Sequence, residues 1–192
     1  SADSPIWVHA ADIDNDGDID VLAAAYGDNQ IAWYENDGAA DPSFTARTIT
    51  TSADGATDVY AADIDNDGDM DVLSASRSDN KIAWYENGLS AFGDPTFGSA
   101  NIATSFDAAA QVLTVDIDND GDLDVLGAAY RDDKIAWFEN NGASDPSFTA
   151  NTITTSADGA FSVYAADIDN DGDMDVVSAS VIDDKIAWYE NG

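Results

Sequence analysis

The nonapeptide DIDNDGDID occupies Asp12–Asp20 and decides the fold, because it returns three times with a change only at its eighth position. The other copies span Asp63–Asp71, Asp116–Asp124 and Asp167–Asp175. Five aspartates within nine residues repel one another strongly, so a compact loop of this composition needs a cation among its carboxylates. A solvated acidic turn without metal is the poorer interpretation, because it needs neither a glycine at a fixed position nor four identical spacings.

The spacing of the oxygen donors indicates calcium, which takes about six to eight oxygen ligands at about 2.3–2.6 Å. Carboxylates at alternate positions of a tight loop can converge on one such ion, and glycine at the sixth position lets the chain turn sharply. The first, third and fifth aspartates are predicted to offer carboxylates, the seventh its backbone carbonyl, and the ninth to close the shell. We therefore predict four Ca2+ cofactor sites, one per repeat. The predicted metal ligands are Asp12, Asp14, Asp16, Asp18, Asp20, Asp63, Asp65, Asp67, Asp69, Asp71, Asp116, Asp118, Asp120, Asp122, Asp124, Asp167, Asp169, Asp171, Asp173 and Asp175.

An EF-hand loop begins in the same way, but it needs a glutamate at its twelfth position and a helix on each side. The twelfth position here is Ala23 in the first copy and serine or glycine in the others. Short apolar runs flank the loop, at Trp7–Ala11 before it and at Val21–Tyr26 after it. Both runs are typical of strands, so we predict that each loop joins the two strands of a β-hairpin.

Internal repetition organises the whole chain, since the nonapeptides begin 51, 53 and 51 residues apart. Each repeat reads as four strands: one before the loop, one after it, a third at Ile31–Glu35 and a fourth around Thr45–Thr51. Four strands per unit of this length are the signature of a β-propeller blade. We therefore predict an all-β fold of four-stranded antiparallel β-propeller blades, the last of them incomplete because it stops after its third strand. The predicted single repeat domain covers 1–192, with blades at approximately 1–52, 53–105, 106–156 and 157–192.

The loop and its repetition resemble the FG-GAP/VCBS repeat family, the calcium-binding blades of integrin alpha-subunit propellers and of many large microbial and algal surface proteins. The motif Asp-hydrophobic-Asp-x-Asp-Gly-x-x-Asp matches in all four copies, and the resemblance covers essentially the whole chain. It implies propeller blades that bind calcium. The phenylalanine-glycine and glycine-alanine-proline signatures of the integrin version are not cleanly present, so integrin-like ligand binding does not carry over.

The composition favours an extracellular protein. The 192 residues include no cysteine and carry six basic against 39 acidic side chains, which gives a formal net charge of −33. Such a surface repels nucleic acid and anionic membranes, and no apolar stretch approaches the ~18 residues that span a bilayer, so neither partner is expected. Extracellular calcium modules bind their ion at roughly 10⁻⁴–10⁻³ M, which only an external medium supplies. We therefore predict a secreted or cell-surface location.

The number of repeats raises the question of closure. An open arc of four blades would expose the apolar faces of its terminal blades, a larger patch than soluble monomers usually tolerate. We expect closure by a second copy into an eight-bladed ring, or by further repeats of a longer chain. A four-bladed ring that closes on itself is the less favoured arrangement.

Variation between repeats indicates where a partner binds. In an up-and-down blade the calcium loops lie on one rim, while the second-to-third-strand turns and the blade-to-blade crossings lie on the opposite rim. The repeats differ most on that opposite rim, where aromatic and arginine side chains are the types that anchor protein or sugar partners. Drift of unconstrained loops is the alternative explanation. The predicted partner-binding residues are Trp7, Tyr26, Arg77, Tyr130, Arg131, Phe161, Val181 and Ile182.

The remaining aromatic and basic residues favour structure over catalysis. Trp33 recurs at the same strand position in the other three repeats, which predicts packing between blades rather than a ligand cage. The lone His9 occupies the position of Tyr60, Leu113 and Tyr164, and this also predicts packing. No triad is recognisable, and a bound metal would keep the loop carboxylates ionised and unsuited to glycosidase chemistry. We therefore expect no enzyme activity.

These features together predict a non-catalytic extracellular calcium-binding β-propeller module for adhesion or surface structure. It would bind protein or glycan through the rim opposite the calcium loops. Two alternatives remain open. One is a self-assembling subunit of a filament, sheath or surface layer, in which the unfinished blade edges contact neighbouring subunits. The other is a lectin-like module of a larger secreted enzyme.

Overall fold

The structure, a computed structural model, describes residues 2–89 and 95–192, which form β-strands joined by turns and include no helix. Within those ranges, nothing helical is long and apolar enough to cross a membrane. The prediction of an all-β chain is therefore confirmed.

The described residues of the first three repeats each contain a four-stranded antiparallel sheet, and those of the fourth contain a three-stranded one. The first sheet has the strands β1 (Pro5–Ala11), β2 (Asp20–Ala25), β3 (Gln30–Asn36) and β4 (Phe44–Thr50). The second repeat has β5 (Ala56–Ala62), β6 (Asp71–Ser76), β7 (Lys81–Tyr85) and β10 (Ala100–Ala103), with an added hairpin of β8 (Asn87–Leu89) and β9 (Pro95–Phe97). The third has β11 (Ala109–Val115), β12 (Asp124–Ala129), β13 (Lys134–Asn140) and β14 (Phe148–Thr154). The fourth has β15 (Ala160–Ala166), β16 (Asp175–Ser180) and β17 (Lys185–Tyr189).

Each sheet pairs its strands in the same register. Leu22 of β2 lies opposite Trp33 of β3, and the other three sheets pair the equivalent residues. The first strand of every repeat contains a register shift near its start, between Pro5 and Trp7 in β1. Such a bulge bends the strand and increases its local twist. One sequence pattern therefore produces four closely similar sheets.

Successive sheets stack face to face and bury the core between them. We call the side of a sheet that carries Trp33 or its equivalent the leading face, and the opposite side the trailing face. The leading face of the first repeat consists of Leu22, Ala24, Ile31 and Trp33. It packs against the trailing face of the second repeat, which consists of Val59, Val72, Ala83 and Tyr85. The same apolar arrangement joins the second repeat to the third and the third to the fourth.

A short polar turn fixes each crossing from one sheet to the next. The backbone carbonyl of Asn29 accepts the N–H of Ala53 at 3.1 Å, and its Oδ1 accepts the N–H of Gly55 at 2.9 Å. Gly55 has φ +65°, a conformation that glycine adopts without steric cost. Asn80 and Asp133 make the same pair of bonds at the next two crossings.

The first strands of all four repeats surround a common axis. A cavity of about 390 Å³ between them is lined by residues of every repeat, among them His9, Tyr60 and Leu113. The rings of His9 and Tyr60 lie 4.5 Å apart, so the packing predicted for the histidine is confirmed. Burial also lowers the pKa of His9.

The four sheets form an open arc within the described residues. Trp33 and Trp84 are 2% exposed, which confirms their predicted packing between sheets. Trp188, the equivalent residue of the fourth repeat, is 48% exposed because no following sheet covers the leading face there. Closure of the arc into a propeller ring stays a prediction.

Candidate metal centres and the opposite rim

The four acidic loops share an unusual backbone conformation. The glycine at the sixth position has φ between +94° at Gly17 and +103° at Gly172, and a Cβ added at any of the four would meet no atom within 4 Å. The requirement for glycine is therefore conformational rather than steric. The fourth position also lies in the left-handed region, with asparagine at φ +56° to +64°, a residue type that tolerates this region.

Backbone N–H groups orient the carboxylates of the first and third positions. In the first loop, Asp12 accepts the N–H groups of Asp16 at 3.1 Å and of Gly17 at 3.0 Å, one on each oxygen. Asp14 accepts a longer bond from the N–H of Asp16 at 3.3 Å. The second and third loops repeat all three bonds. The chain therefore holds these carboxylates inside the loop at short mutual distance.

Each loop brings three carboxylates together, with one oxygen of each within 4.8 Å of the others. The first and third aspartates belong to all four groups, together with the ninth in the first and third repeats and the fifth in the second and fourth. The seventh aspartates lie outside these groups. The groups are Asp12, Asp14 and Asp20; Asp63, Asp65 and Asp67; Asp116, Asp118 and Asp124; and Asp167, Asp169 and Asp171.

The electrostatics of these groups fit a divalent cation. Burial, followed by the nearby charges of Asp16 and Asp20, raises the pKa of Asp14 to about 6. Burial likewise raises the pKa values of Asp65, Asp118 and Asp169. A cation at the centre would remove the repulsion and favour the ionised forms. In the fourth loop, Oδ1 of Asp167 is buried and accepts no hydrogen bond from the described residues, so this oxygen is available to coordinate a cation.

The ninth aspartate has a second function that the sequence did not reveal. Asp20 is 1% exposed, and its two oxygens accept the N–H groups of Ile13 at 3.1 Å and Asn36 at 2.8 Å. It therefore ties the start of the acidic loop to the end of β3. All four repeats make both bonds. Burial raises the pKa of the equivalent Asp71 to about 7 and that of Asp124 to about 6.

Hydrogen bonds connect the acidic loops of neighbouring repeats. Nδ2 of Asn15 donates to Oδ1 of Asp69 at 2.9 Å, so the fourth position of one loop holds the seventh position of the next. Asn66 donates to Asp122 at 3.3 Å and Asn119 to Asp173 at 2.8 Å in the same way. Sequence reasoning missed these links, although the recurrence of asparagine at the fourth position was the available signal.

A second set of asparagines bridges neighbouring repeats at the end of the third strand. Nδ2 of Asn87 donates to the carbonyl of Ile13 in the preceding repeat at 2.8 Å. Asn140 and Asn191 repeat this bond, each at 2.9 Å. We call the rim that carries the four acidic loops the metal-loop rim. Hydrogen bonds connect each repeat to the next along this rim throughout the described residues.

The opposite rim contains a cavity of about 330 Å³ at the mouth of the axis. Four of the predicted partner-binding residues line it, namely Trp7, Tyr26, Arg77 and Phe161. They come from the first, second and fourth repeats, and Trp7 and Phe161 are about half exposed. The structure thus assembles residues far apart in the sequence at one place.

The other four predicted partner-binding residues lie outside this cavity. The guanidinium of Arg77 lies over the ring of Tyr130, 4.6 Å from its centroid, so this tyrosine contacts a residue of the cavity lining. Arg131 lies 3.7 Å from a carboxylate oxygen of Asp107. Val181 and Ile182 are exposed on the turn between β16 and β17.

Comparison with known proteins identifies a family model and several similar solved structures. A family model described as "FG-GAP-like repeat" matches residues 12–74, 63–127 and 116–178. One of these structures is that of the biofilm matrix protein Bap1 of V. cholerae, at 16% identity and a TM-score of 0.37 over 97% of this chain. This chain spans 37% of the length of that protein. No curated protein matches this chain.

Proposed function

This chain belongs to the FG-GAP-like repeat family, and from that premise we propose that it is a non-catalytic, calcium-binding module of an extracellular adhesion or surface-structure protein. The four carboxylate groups support calcium as the ligand, because hard oxygen donors at this spacing suit it. Bound calcium would neutralise the clustered aspartates and stabilise the hairpin formed by the first and second strands of each repeat. The ring of His9 packs 4.5 Å from the ring of Tyr60, which supports a structural role for this histidine.

Calorimetric titration of the metal-free chain with calcium tests the metal assignment. We expect four binding equivalents per chain. Asp14→Asn should remove one equivalent, because Asp14 belongs to the first carboxylate group. Asp41→Asn is the matched control, since Asp41 is exposed and lies outside the groups. Fewer than four equivalents with the unaltered chain, or an unchanged count for Asp14→Asn, would contradict the proposed ligand set.

The proposed partner site is the cavity of about 330 Å³ at the mouth of the axis, on the rim opposite the acidic loops. We call it the axial cavity. Its lining is mostly apolar and aromatic, with Trp7 and Phe161 half exposed and the Arg77 guanidinium at the wall. Flat aromatic faces stack on sugar rings or on apolar side chains, and a guanidinium pairs with a carboxylate. The cavity therefore suits a glycan or an aromatic-bearing peptide segment. This convergence of variable residues is the observation that carries the proposal.

A glycan array and a display library of extracellular peptides, both screened with millimolar calcium, test this site. We expect a binder whose affinity falls at least about tenfold in Trp7→Ala and in Phe161→Ala. Val181→Ala is the matched control, because Val181 is exposed on the same rim but outside the cavity. A binder unaffected by both cavity variants would place the partner site elsewhere. Selective glycan binding would favour the lectin-like alternative.

A second candidate function is self-assembly, and one specific observation favours it. The two ends of the arc present apolar sheet faces, with Val8 63% exposed at one end and Ile186 84% exposed at the other. Patches of this kind on soluble proteins mark interaction sites. These faces suit contact with neighbouring subunits in a surface layer or filament, or with further repeats of a longer chain.

A further inference from the structure

We propose that the calcium sites of the first three repeats are unequal, because an ion pair between Arg47 and Glu35 removes a negative charge that the second and third repeats keep beside their loops. The first site then binds calcium more weakly than the other two. This inference rests on the proposed calcium-binding function and deepens it, because it names residues outside the loops that set the order in which the sites fill.

A glutamate stands at the end of the third strand of each repeat, beside the acidic loop. Glu35 directly precedes Asn36, whose backbone N–H donates to Asp20 of the loop at 2.8 Å. Glu86 and Glu139 precede asparagines that make the equivalent bonds at 2.7 Å and 2.8 Å. Each glutamate is therefore fixed one residue away from the contact between the third strand and the loop.

The charge of this glutamate acts on the carboxylates of its own loop. Burial is the largest cause that raises the pKa of Asp14, and the charge of Glu35 adds to it. The equivalent glutamates act in the same sense on the third aspartates of the second and third loops, where burial is again the largest cause. A carboxylate that repels the loop carboxylates attracts a cation among them, and calcium affinity depends on the charge count of the site.

Arg47 neutralises the glutamate of the first repeat. Its Nε donates to Oε2 of Glu35 at 2.7 Å, and its Nη2 lies 2.6 Å from the same oxygen. The guanidinium also lies over the ring of Trp33, 5.3 Å from the centroid. Stacking on an indole ring is favourable for a cation, so two contacts hold Arg47 beside the glutamate.

The second and third repeats have uncharged residues at the position of Arg47. Arg47 lies opposite the third-strand tryptophan of its sheet, and the residues opposite the equivalent tryptophans are Ala100 and Asn151. Nδ2 of Asn151 donates to Oε2 of Glu139 at 3.3 Å, a contact that leaves the charge of the glutamate in place. Within the described part of the chain, neither Glu86 nor Glu139 forms a salt bridge.

The three loops share their backbone geometry and differ in the charge beside it. The hydrogen bonds that hold the first and third aspartates recur in all three loops, so the loop backbone favours equal affinities. The added charge interacts with a divalent ion but is partly exposed to solvent, which limits its effect to about three- to tenfold in Kd. As free calcium falls, the first loop therefore empties before the second and third.

Equilibrium dialysis against radioactive calcium tests the order of filling. The chain is loaded first and free calcium is then lowered in steps, so the protein is folded while the first ions leave. Asp14→Asn disrupts the first carboxylate group and Asp118→Asn the third. The ion missing from Asp14→Asn should have a Kd about three- to tenfold higher than the ion missing from Asp118→Asn.

Exchange of the residues opposite the tryptophans tests the cause. Arg47→Asn gives the first repeat the arrangement of the third and should tighten the first site about three- to tenfold. Asn151→Arg places a cation beside Glu139 and should weaken the third site by a similar factor. Both residues lie on the last strand of their sheet and neither is buried, and melting curves in saturating calcium check that the variants fold.

Arg131→Asn is the matched control for net charge. It also removes one positive charge, but Arg131 lies on the opposite rim, 3.7 Å from a carboxylate oxygen of Asp107. Every calcium affinity should stay as in the unaltered chain. Glu139→Gln is the complementary variant and should weaken the third site as Asn151→Arg does, because each removes the same negative charge.

The outcomes separate this inference from the calcium-binding function itself. Equal affinities of the first and third sites would overturn the inference and leave the function intact, as would affinities that respond to neither Arg47→Asn nor Asn151→Arg. An effect of Arg131→Asn as large as that of Arg47→Asn would also overturn it, because net charge would then explain the difference. A chain that binds no calcium would overturn both the inference and the proposed function.

Discussion

The two rims of this protein differ in how much the four repeats resemble one another. On the metal-loop rim, the bond from the ninth aspartate to the end of the third strand is 2.7–2.8 Å in every repeat. On the opposite rim, the equivalent turn position holds Tyr26, Arg77, Tyr130 and Val181. Side chains that bond between repeats must recur, whereas side chains on the turns of the opposite rim are free to differ. The rim with the acidic loops therefore maintains the fold, whereas the opposite rim varies from repeat to repeat.

Removal of calcium is expected to reduce the stability of the protein more than any other change to either rim. At about 1 mM free calcium and a Kd of about 10⁻⁴ M, one site stabilises a fold by about 1.4 kcal/mol. Four such sites would contribute about 6 kcal/mol, which is comparable with the whole stability of a domain. We expect calorimetry in excess chelator to show no cooperative transition above room temperature. An unchanged melting temperature would show that the acidic rim does not depend on metal for its architecture.

Loss of one ninth aspartate should have the next largest effect. Asp71 is 1% exposed and accepts the N–H groups of Asn87 at 2.7 Å and Ile64 at 3.1 Å. Asp71→Ala would leave two buried donors without a partner and is expected to cost about 3–5 kcal/mol in urea denaturation with calcium. Asp145→Ala, at an exposed acidic residue, is the control and should cost less than about 0.5 kcal/mol. Similar losses for the two variants would refute the anchoring function.

The sequence predicted the features that depend on local spacing. The strands, the alternation at Ile31–Glu35 and the packing of Trp33 follow from periodicity, and the convergence of Asp12 and Asp14 follows from the loop. The bond between Asn15 and Asp69 joins residues of different repeats, so it depends on how two sheets stack.

The double function of Asp71 escaped prediction for a similar reason. Spacing identified it as a metal ligand, but its bond to Asn87 depends on where the third strand ends beside the loop. The axial cavity likewise requires all four repeats to be in place, since Trp7 and Phe161 lie far apart in the sequence. Pattern within one repeat carries no information about such relations between elements.

A buried carboxyl between the two rims should make stability depend on pH. Asp58 is 2% exposed, and burial raises its pKa to about 7, against the opposing effect of hydrogen bonds from the N–H groups of Val112 and Val59. The folded chain therefore binds more protons than the unfolded chain between about pH 4 and pH 7. The contribution of Asp58 to stability is greatest at low pH and falls as the pH rises through this window.

Asp58→Asn tests this prediction, because the amide keeps one oxygen acceptor for hydrogen bonds but does not titrate. Relative to the unaltered chain, the variant should gain about 1–3 kcal/mol between pH 4.5 and pH 8, both measured in saturating calcium. The comparison of the pair cancels the pH dependence of the metal sites. A difference that is constant across the range would mean that Asp58 does not titrate between these limits.

The links between neighbouring metal loops should have the smallest effect, and the fourth repeat offers a matched control. Asn119 donates to Asp173 at 2.8 Å, whereas Asn170, at the same loop position and with nearly the same φ, makes no such bond within the described residues. Asn119→Ala is expected to cost about 0.5–1.5 kcal/mol more than Asn170→Ala in urea denaturation, at a protein concentration where light scattering gives the mass of one chain. The two variants share the backbone cost of alanine at positive φ, so their difference isolates the link between loops. Equal losses would mean that asparagine recurs at this position for the loop backbone alone, and that neighbouring metal loops are uniform without being coupled.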